Sequence, residues 1–308
     1  MKTLLYLNKI KRILSGLSSI SDRVEDLQQA VGRIENRQLK NIESLNLEDY
    51  EFKVYSQNGE DGIIQFLLDH ILIEKKIFVE FGVHNYIESN TRFLIKNDNW
   101  SGLVIDGSPK NVDFIKADPL YWQRNLKAEC AFIHRDNINS LIKKSGLYGD
   151  IGILSIDIDG NDYWVWQAID CVNPRIVICE YNSLFGPSAR ISIPYDENFS
   201  YSKAHYSTLY WGASIGAFNY LANTKGYSLV GSNSNGNNIF FVRNDLLGSL
   251  PKMTPEAAYV KSTFRTSRDP QGSLTFLDMN QAFVLIADLP LKEVDTGKST
   301  TLRKAFQV

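Results

Sequence analysis

The sequence predicts an α/β fold: a seven-stranded, mostly parallel sheet with a closing antiparallel hairpin, preceded by a long N-terminal helix. Four apolar runs carry the prediction: IFVEFG (77–82), GLVIDGS (102–108), IGILSIDIDG (151–160) and RIVICEYN (175–182). Runs that are apolar on both alternating faces fit parallel strands covered by helices on both sides. Helical patterns separate these runs, and the turn-rich NSNG joins two final strands, YSLVGS (227–232) and NNIFFVRN (237–244). Each of the four runs also contains an acidic residue at or near its end. Ligands of open α/β sheets bind beyond the carboxyl ends of the strands. Glu80, Asp106, Asp157, Asp159 and Glu180 are therefore expected to converge on one crevice.

Composition bounds the answer. At 308 residues, 44% hydrophobic and 22% charged, the chain can bury a full core. One α/β domain with appendages is the expectation. The boundaries fall at 1–46 for an N-terminal coiled-coil helix, 47–245 for the sheet domain and 246–308 for a C-terminal extension packed on it. The net charge of −2 and pI of about 6.1 supply no basic field for nucleic acid. Three cysteines, Cys130, Cys171 and Cys179, lack metal-type spacing and read as buried, reduced thiols of a cytoplasmic protein. The opening MKTLLYLNKIKR is too short and interrupted for a signal peptide, and no segment approaches the ~18 apolar residues of a transmembrane helix.

The elements follow in order. Ile10, Ile13, Leu17, Ile20, Val24, Leu27, Val31 and Ile34 are spaced alternately three and four apart, an a/d repeat over four heptads. A helix packed on its own domain is the alternative, but so narrow a seam favours a homo-oligomeric coiled coil through residues 10–34. Isoleucine at three of the four d positions favours a trimer over a dimer, with a tetramer also open. RVEDLQ (23–28) resembles, imperfectly, a trimer-favouring motif. Gly16 and Gly32 each weaken the helix by about 1 kcal/mol against alanine. Lys2, Lys9, Lys11 and Arg12 beside Leu4, Leu5 and Leu7 give a weak signal for peripheral contact with the inner face of a membrane. Beyond residue 47, a helix is predicted within 56–72, a strand over 77–83, a helix near 89–98 and a strand over 102–106. Then come a helix near 109–117, a short strand over 130–134, strands over 151–158 and 175–180, a long loop (183–210) and a helix over 214–225.

The chemistry attaches to this frame. In a doubly wound sheet the loop after the first strand lets cofactor backbone approach closely, and an acid ending the second strand binds ribose hydroxyls. Gly82 and Asp106 occupy those places; Asp106 with Gly107-Ser108-Pro109 also fits a helix-opening turn. Glu80 could meet a cofactor's cationic amino group or form a buried ion pair. Asp136 and Asn137 fall where an adenine contact is expected, and also read as a plain turn. No GxGxxG is present. A cofactor with ribose but no pyrophosphate fits better, and S-adenosylmethionine is one.

SQNGEDGII (56–64), VEFGVHNYIESNTRFL (79–94), SGLVIDGS (101–108), ILSIDIDGNDYWVW (153–166) and the stretch 210–243 resemble the FkbM-like group of class I S-adenosylmethionine-dependent methyltransferases. The element order is also that of their Rossmann-like sheet. The resemblance implies O-methylation of sugars or related secondary-metabolite hydroxyls, with cofactor contacts around Gln57, Glu80, Gly82, Asn90, Asp106 and Asp136. The first loop departs from the group in having VHNYIES where many relatives carry more glycine.

Asp157 and Asp159, two apart on a strand, point to one face, and Glu180 ends the neighbouring strand. Three or four oxygen donors suit Mg²⁺ or Mn²⁺. The arrangement also resembles the macrocin-type sugar methyltransferases, whose divalent metal lies near the acceptor hydroxyls. The alternative is that Asp157 contacts the cofactor and that Asp159 to Asp162 form a helix-capping turn. His205, in the tyrosine-rich loop after the fifth strand, is a candidate general base, with Asp157 or Asp159 taking that part if a metal activates the hydroxyl. Aromatics crowd the same loop; they fit stacking on a glycan or glycan precursor and equally the ordinary packing of a lid. Arg265 and Arg268 could clamp an acceptor phosphate, although plain solvated arginines are the favoured reading. A small secondary metabolite as acceptor, and a non-catalytic coiled-coil scaffold with a retained fold, are the competing readings.

Overall fold

The computed structural model describes residues 2–262 and 267–306; the side chains of residues 2–15, 17–19 and 21 lie outside the description. Helix α1 (Lys2–Leu39) leads to α2 (Glu60–His70) and strand β1 (Ile77–Phe81). Then follow α3 (Arg92–Asn97), β2 (Ser101–Asp106), α4 (Pro109–Ala117), α5 (Pro119–Gln123) and β3 (Leu126–Cys130). Helix α6 (Ile138–Lys144), β4 (Gly149–Ile156), α7 (Asp162–Ala168) and β5 (Val172–Glu180) complete the parallel part. A long loop carries β6 (Ile191–Ser192) and α8 (Tyr201–Ala204) before α9 (Ile215–Lys225) and the hairpin β7 (Tyr227–Ser232) and β8 (Asn238–Arg243). Strands β9 (Leu291–Glu293) and β10 (Ser299–Thr300) belong to the C-terminal segment.

The main sheet has the order β3-β2-β1-β4-β5-β8-β7. Strands β1 to β5 run parallel, and β8 is antiparallel to both β5 and β7. This is the expected Rossmann-like sheet with its closing hairpin. The alternation within each strand explains why it is covered twice. Val79, Phe81, Leu103, Leu154 and Val177 face one apolar layer. Phe78, Val104, Ile153, Ile176 and Ile178 face the other. The chain leaves β1 toward β2 and β3 on one side and returns to β4 on the other, so a crevice opens between the ends of β1 and β4.

Local signals fix the helix ends that border this crevice. Asp162, at the first position of α7, accepts from Ile158 N and Gly160 N, both at 2.8 Å. Ser214 caps α9 through Ala217 N, and Gly226 ends it in the left-handed region. A second sheet, β10-β9-β6, joins the loop after β5 to the C-terminal segment. That loop is also tied to α7 by the Trp164 indole, which donates to Ile193 O.

Two expectations change. The third strand is 126–130, not 130–134, because β2 pairs from Gly102↔Leu126 to Asp106↔Cys130. LKAEC alternates as an edge strand does, whereas the more apolar AFIH lies in the loop beyond it. His134 is therefore a loop residue rather than a strand residue. Cys130 is exposed at the strand's end, and Cys179 is buried.

Candidate functional site

A cavity of about 730 Å³ opens at the carboxyl ends of β1, β4 and β5. That volume lies within the range of small-molecule and cofactor sites. The structure brings Gln57, Glu80, Gly82, Asn90, Asp157, Asp159 and Glu180 together on its wall. It does not bring Asp106, Gly107, Asp136, Asn137 or His205 to that wall.

Gly82 sets the closeness of the first loop. Its φ is +71°, and a Cβ there would lie 1.6 Å from the backbone oxygen of Asp157. Only glycine lets the loop after β1 rest on the tip of β4. Glu80 holds that loop from below: Oε1 accepts from Asn90 N at 2.8 Å, and Oε2 accepts from Thr91 N at 3.1 Å and Thr91 Oγ1 at 2.5 Å. These loop donors, not a basic side chain, occupy its oxygens. Burial pushes its pKa up to about 7 against the pull of these bonds. Asn90 Nδ2 in turn donates to Ser155 Oγ, joining the loop to β4.

On the other side of the cavity, ligand oxygens of Asp157, Asp159 and Glu180 all lie within 4.8 Å of one another. Burial raises the pKa values of Asp157 and Glu180 well above the ordinary range, and the neighbouring carboxylates raise them further. Glu180 Oε2 is buried with no hydrogen-bond partner. Asp159 adopts φ +54°, an uncommon conformation for a residue other than glycine. Burial raises its pKa as well, while His84, in the left-handed region after β1, lowers it. The turn foreseen for this segment is held by Asp162, which accepts from Ile158 N and Gly160 N, and no side chain caps α7. That leaves Asp157 and Asp159 aimed at the cavity. Three carboxyls whose mutual repulsion is unrelieved make a site that favours a proton or a cation.

The remaining candidates lie apart. Asp106 is buried at the tip of β2, and its Oδ1 accepts from Ser108 N at 2.8 Å and Asn111 Nδ2 at 2.9 Å. Gly107 follows it; its carbonyl faces Cys130 Sγ. Asp136 is exposed, 3.5 Å from the Tyr195 hydroxyl. Asn137 closes the turn before α6, accepting from His134 N and donating to Phe132 O. The shift of β3 toward the N-terminus explains why both are displaced from a strand tip. His205 Nδ1 is 2.7 Å from Ser207 Oγ, and its ring stacks against Tyr206. Burial lowers its pKa. Arg265 lies outside the described residues; Arg268 Nη1 donates to Gly272 O.

One part of the wall was not foreseen. Glu60, at the start of α2, is buried, and its Oε1 accepts from the side-chain amides of Asn233 and Asn238, both at 2.8 Å. These bonds clamp SQNGED to the hairpin turn SNSNGNN, and Asn235, Gly236 and Asn237 line the cavity from there. The density of asparagine in that turn was the available signal. Tyr201 and Trp211 also line the cavity, and the Tyr201 pKa is raised chiefly by the Asp159 charge.

No protein-family model matches the chain, and no curated protein does. Among solved structures it is similar to an O-methyltransferase from Bacillus cereus in complex with SAH, with TM-score 0.40, 11% identity and coverage of 70% of this chain and 91% of that one. It is also similar to an S-adenosylmethionine-dependent methyltransferase from Clostridium acetobutylicum, with TM-score 0.31, 11% identity and coverage of 44% and 56%. A third is the DszA carbon methyltransferase, with TM-score 0.38, 11% identity and coverage of 60% and 53%. The chain spans little more than half the length of the last two. No helix among the described residues is long and apolar enough to cross a membrane.

Proposed function

We propose that this protein is an S-adenosylmethionine-dependent O-methyltransferase of the FkbM-like kind, acting on a hydroxyl of a sugar, glycan or glycan precursor with a divalent cation at Asp157, Asp159 and Glu180. The observation that carries the reading is the strand order β3-β2-β1-β4-β5-β8-β7 with a cofactor-sized cavity at its switch point, walled by acids from β1, β4 and β5. The motif resemblance over residues 56–243 supports the choice of cofactor.

The residues present fit both groups. Gly82 and the loop after it line the cavity, and Gln57 and Asn90 offer amide donors and acceptors there. S-adenosylmethionine would supply a sulfonium methyl open to in-line attack. For the cation, the fit rests on Glu180 Oε2, a buried oxygen without a partner, beside two more raised carboxyls. A divalent cation would lower the pKa of an acceptor hydroxyl.

The chain's own residues then divide the work. Asp157 takes the hydroxyl proton in this reading, because its carboxyl lines the cavity at the tip of β4 beside the proposed cation site. Asp162 holds the loop 158–160 so that Asp157 and Asp159 keep their places. Tyr201 and Trp211 give aromatic faces against which a sugar ring can stack.

The test is transfer of a labelled methyl group to a panel of free and nucleotide-linked sugars, with Mn²⁺ and with EDTA. Labelled product that depends on Mn²⁺ supports the reading. A protein that binds the cofactor yet methylates only non-sugar hydroxyls removes the glycan part of it.

A further inference from the structure

From Ile20 to Ile34 the a/d seam of α1 faces away from the body of its own chain. Ile20, Val24, Leu27, Val31 and Ile34 are between 52% and 66% exposed. The opposite, polar face is the one that docks. Glu25 pairs with Lys96 and bonds the Tyr55 hydroxyl, and Gln28 Nε2 donates to Val54 O. Farther along, Asn36 Nδ2 donates to Gln65 Oε1 at 3.0 Å. Gly32 lies on this docked face, where a Cβ would meet the Val54 side chain at 2.3 Å. A glycine that costs helix stability thus brings the helix axis close to the body. These contacts fix the rotation of the helix, so the seam cannot turn inward.

We propose that the seam is covered by two further copies of this chain, in a parallel three-stranded coiled coil. The occupant is argued from self-complementarity. With Ile10, Leu17, Val24 and Val31 at a and Ile13, Ile20, Leu27 and Ile34 at d, like chains pair in register along the whole stripe. Isoleucine at d positions favours more than two strands. Parallel pairing sets Arg23 against Gln28 and Ala30 against Glu35 of the neighbouring copy, so no like charges meet across these flanks. At roughly 100 Å² of apolar surface per seam residue, the five described positions on each of two chains reach the ~1,000 Å² that a specific interface should clear. The proposal rests on the helix alone and stands or falls independently of the chemistry in the cavity.

Light scattering of the full chain at tens of micromolar tests it. The expected mass is three times 35.0 kDa. The double variant Leu27→Asp/Ile34→Asp is expected to run as a single chain with an unchanged circular dichroism spectrum, since both side chains are exposed in one chain. Val31→Lys is a second, independent route to the same loss. A single-chain or two-chain mass for the unaltered protein, with the seam left to a different protein, overturns the proposal. So does a trimer that survives both sets of substitutions.

Discussion

Gly82 and Asp157 are in backbone contact: the α-carbon of one lies so close to the carbonyl oxygen of the other that a methyl group would stand 1.6 Å from it. Through this contact the loop after β1 and the tip of β4 form one surface. The Glu80 side of the cavity and the Asp157 side are thereby joined through the backbone.

Substituting Gly82→Ala forces a left-handed backbone onto alanine and pushes the loop off Asp157. The strain and displacement are expected to cost roughly 3 kcal/mol. Urea unfolding of the variant checks this, and a loss under about 0.5 kcal/mol would mean that the contact is not tight.

Asp61 gives a second stability prediction away from the cavity's chemistry. Its Oδ2 accepts from Val54 N, Tyr55 N and Ser56 N at 2.8, 2.6 and 2.8 Å. Asp61→Ala leaves three donors without their acceptor, and a loss of about 3 kcal/mol is expected in the same unfolding experiment.

Much of this was legible in the sequence because parallel strands leave a strong signal. Apolar runs with acidic tips marked Glu80, Asp106, Asp157 and Glu180 before any coordinates. The edge strand β3 was not legible, since Lys127 and Glu129 on its open face break the apolar run that Phe132 and Ile133 imitate. The heptads of α1 showed a seam but not which face would dock. The docking side is built from Glu25, Gln28, Gly32 and Asn36, residues that read as solvated. Strands β6 and β9, two and three residues long, carry no periodicity to read.

Stability should fall as pH rises from about 5 to about 7, between the unfolded carboxylate range and the raised native values. Burial raises the pKa of Glu80 to about 7 and those of Asp61 and Asp162 to about 6. Each native group thus holds its proton at a pH where the unfolded chain has lost it, and native protons outnumber unfolded ones in this window. His205, with its lowered pKa, acts in the opposite direction but is only partly buried. Calorimetric melting in EDTA is expected to give a higher midpoint at about pH 5 than at about pH 7; a midpoint that rises with pH contradicts these assignments.

The carboxyl cluster predicts cation binding that can be read without turnover. Mn²⁺ should bind the protein in paramagnetic resonance titrations, at least about tenfold more weakly in Asp159→Ala, because one of three oxygen ligands is gone. Equal binding by the variant would remove Asp159 from the ligand set.

The central claim is that this cavity takes S-adenosylmethionine. Calorimetric titration of the full chain with S-adenosylmethionine tests it most directly. The account predicts saturable binding at one molecule per chain, weakened about tenfold or more when Gln57→Ala removes an amide from the cavity wall. No measurable binding by the folded protein would contradict it.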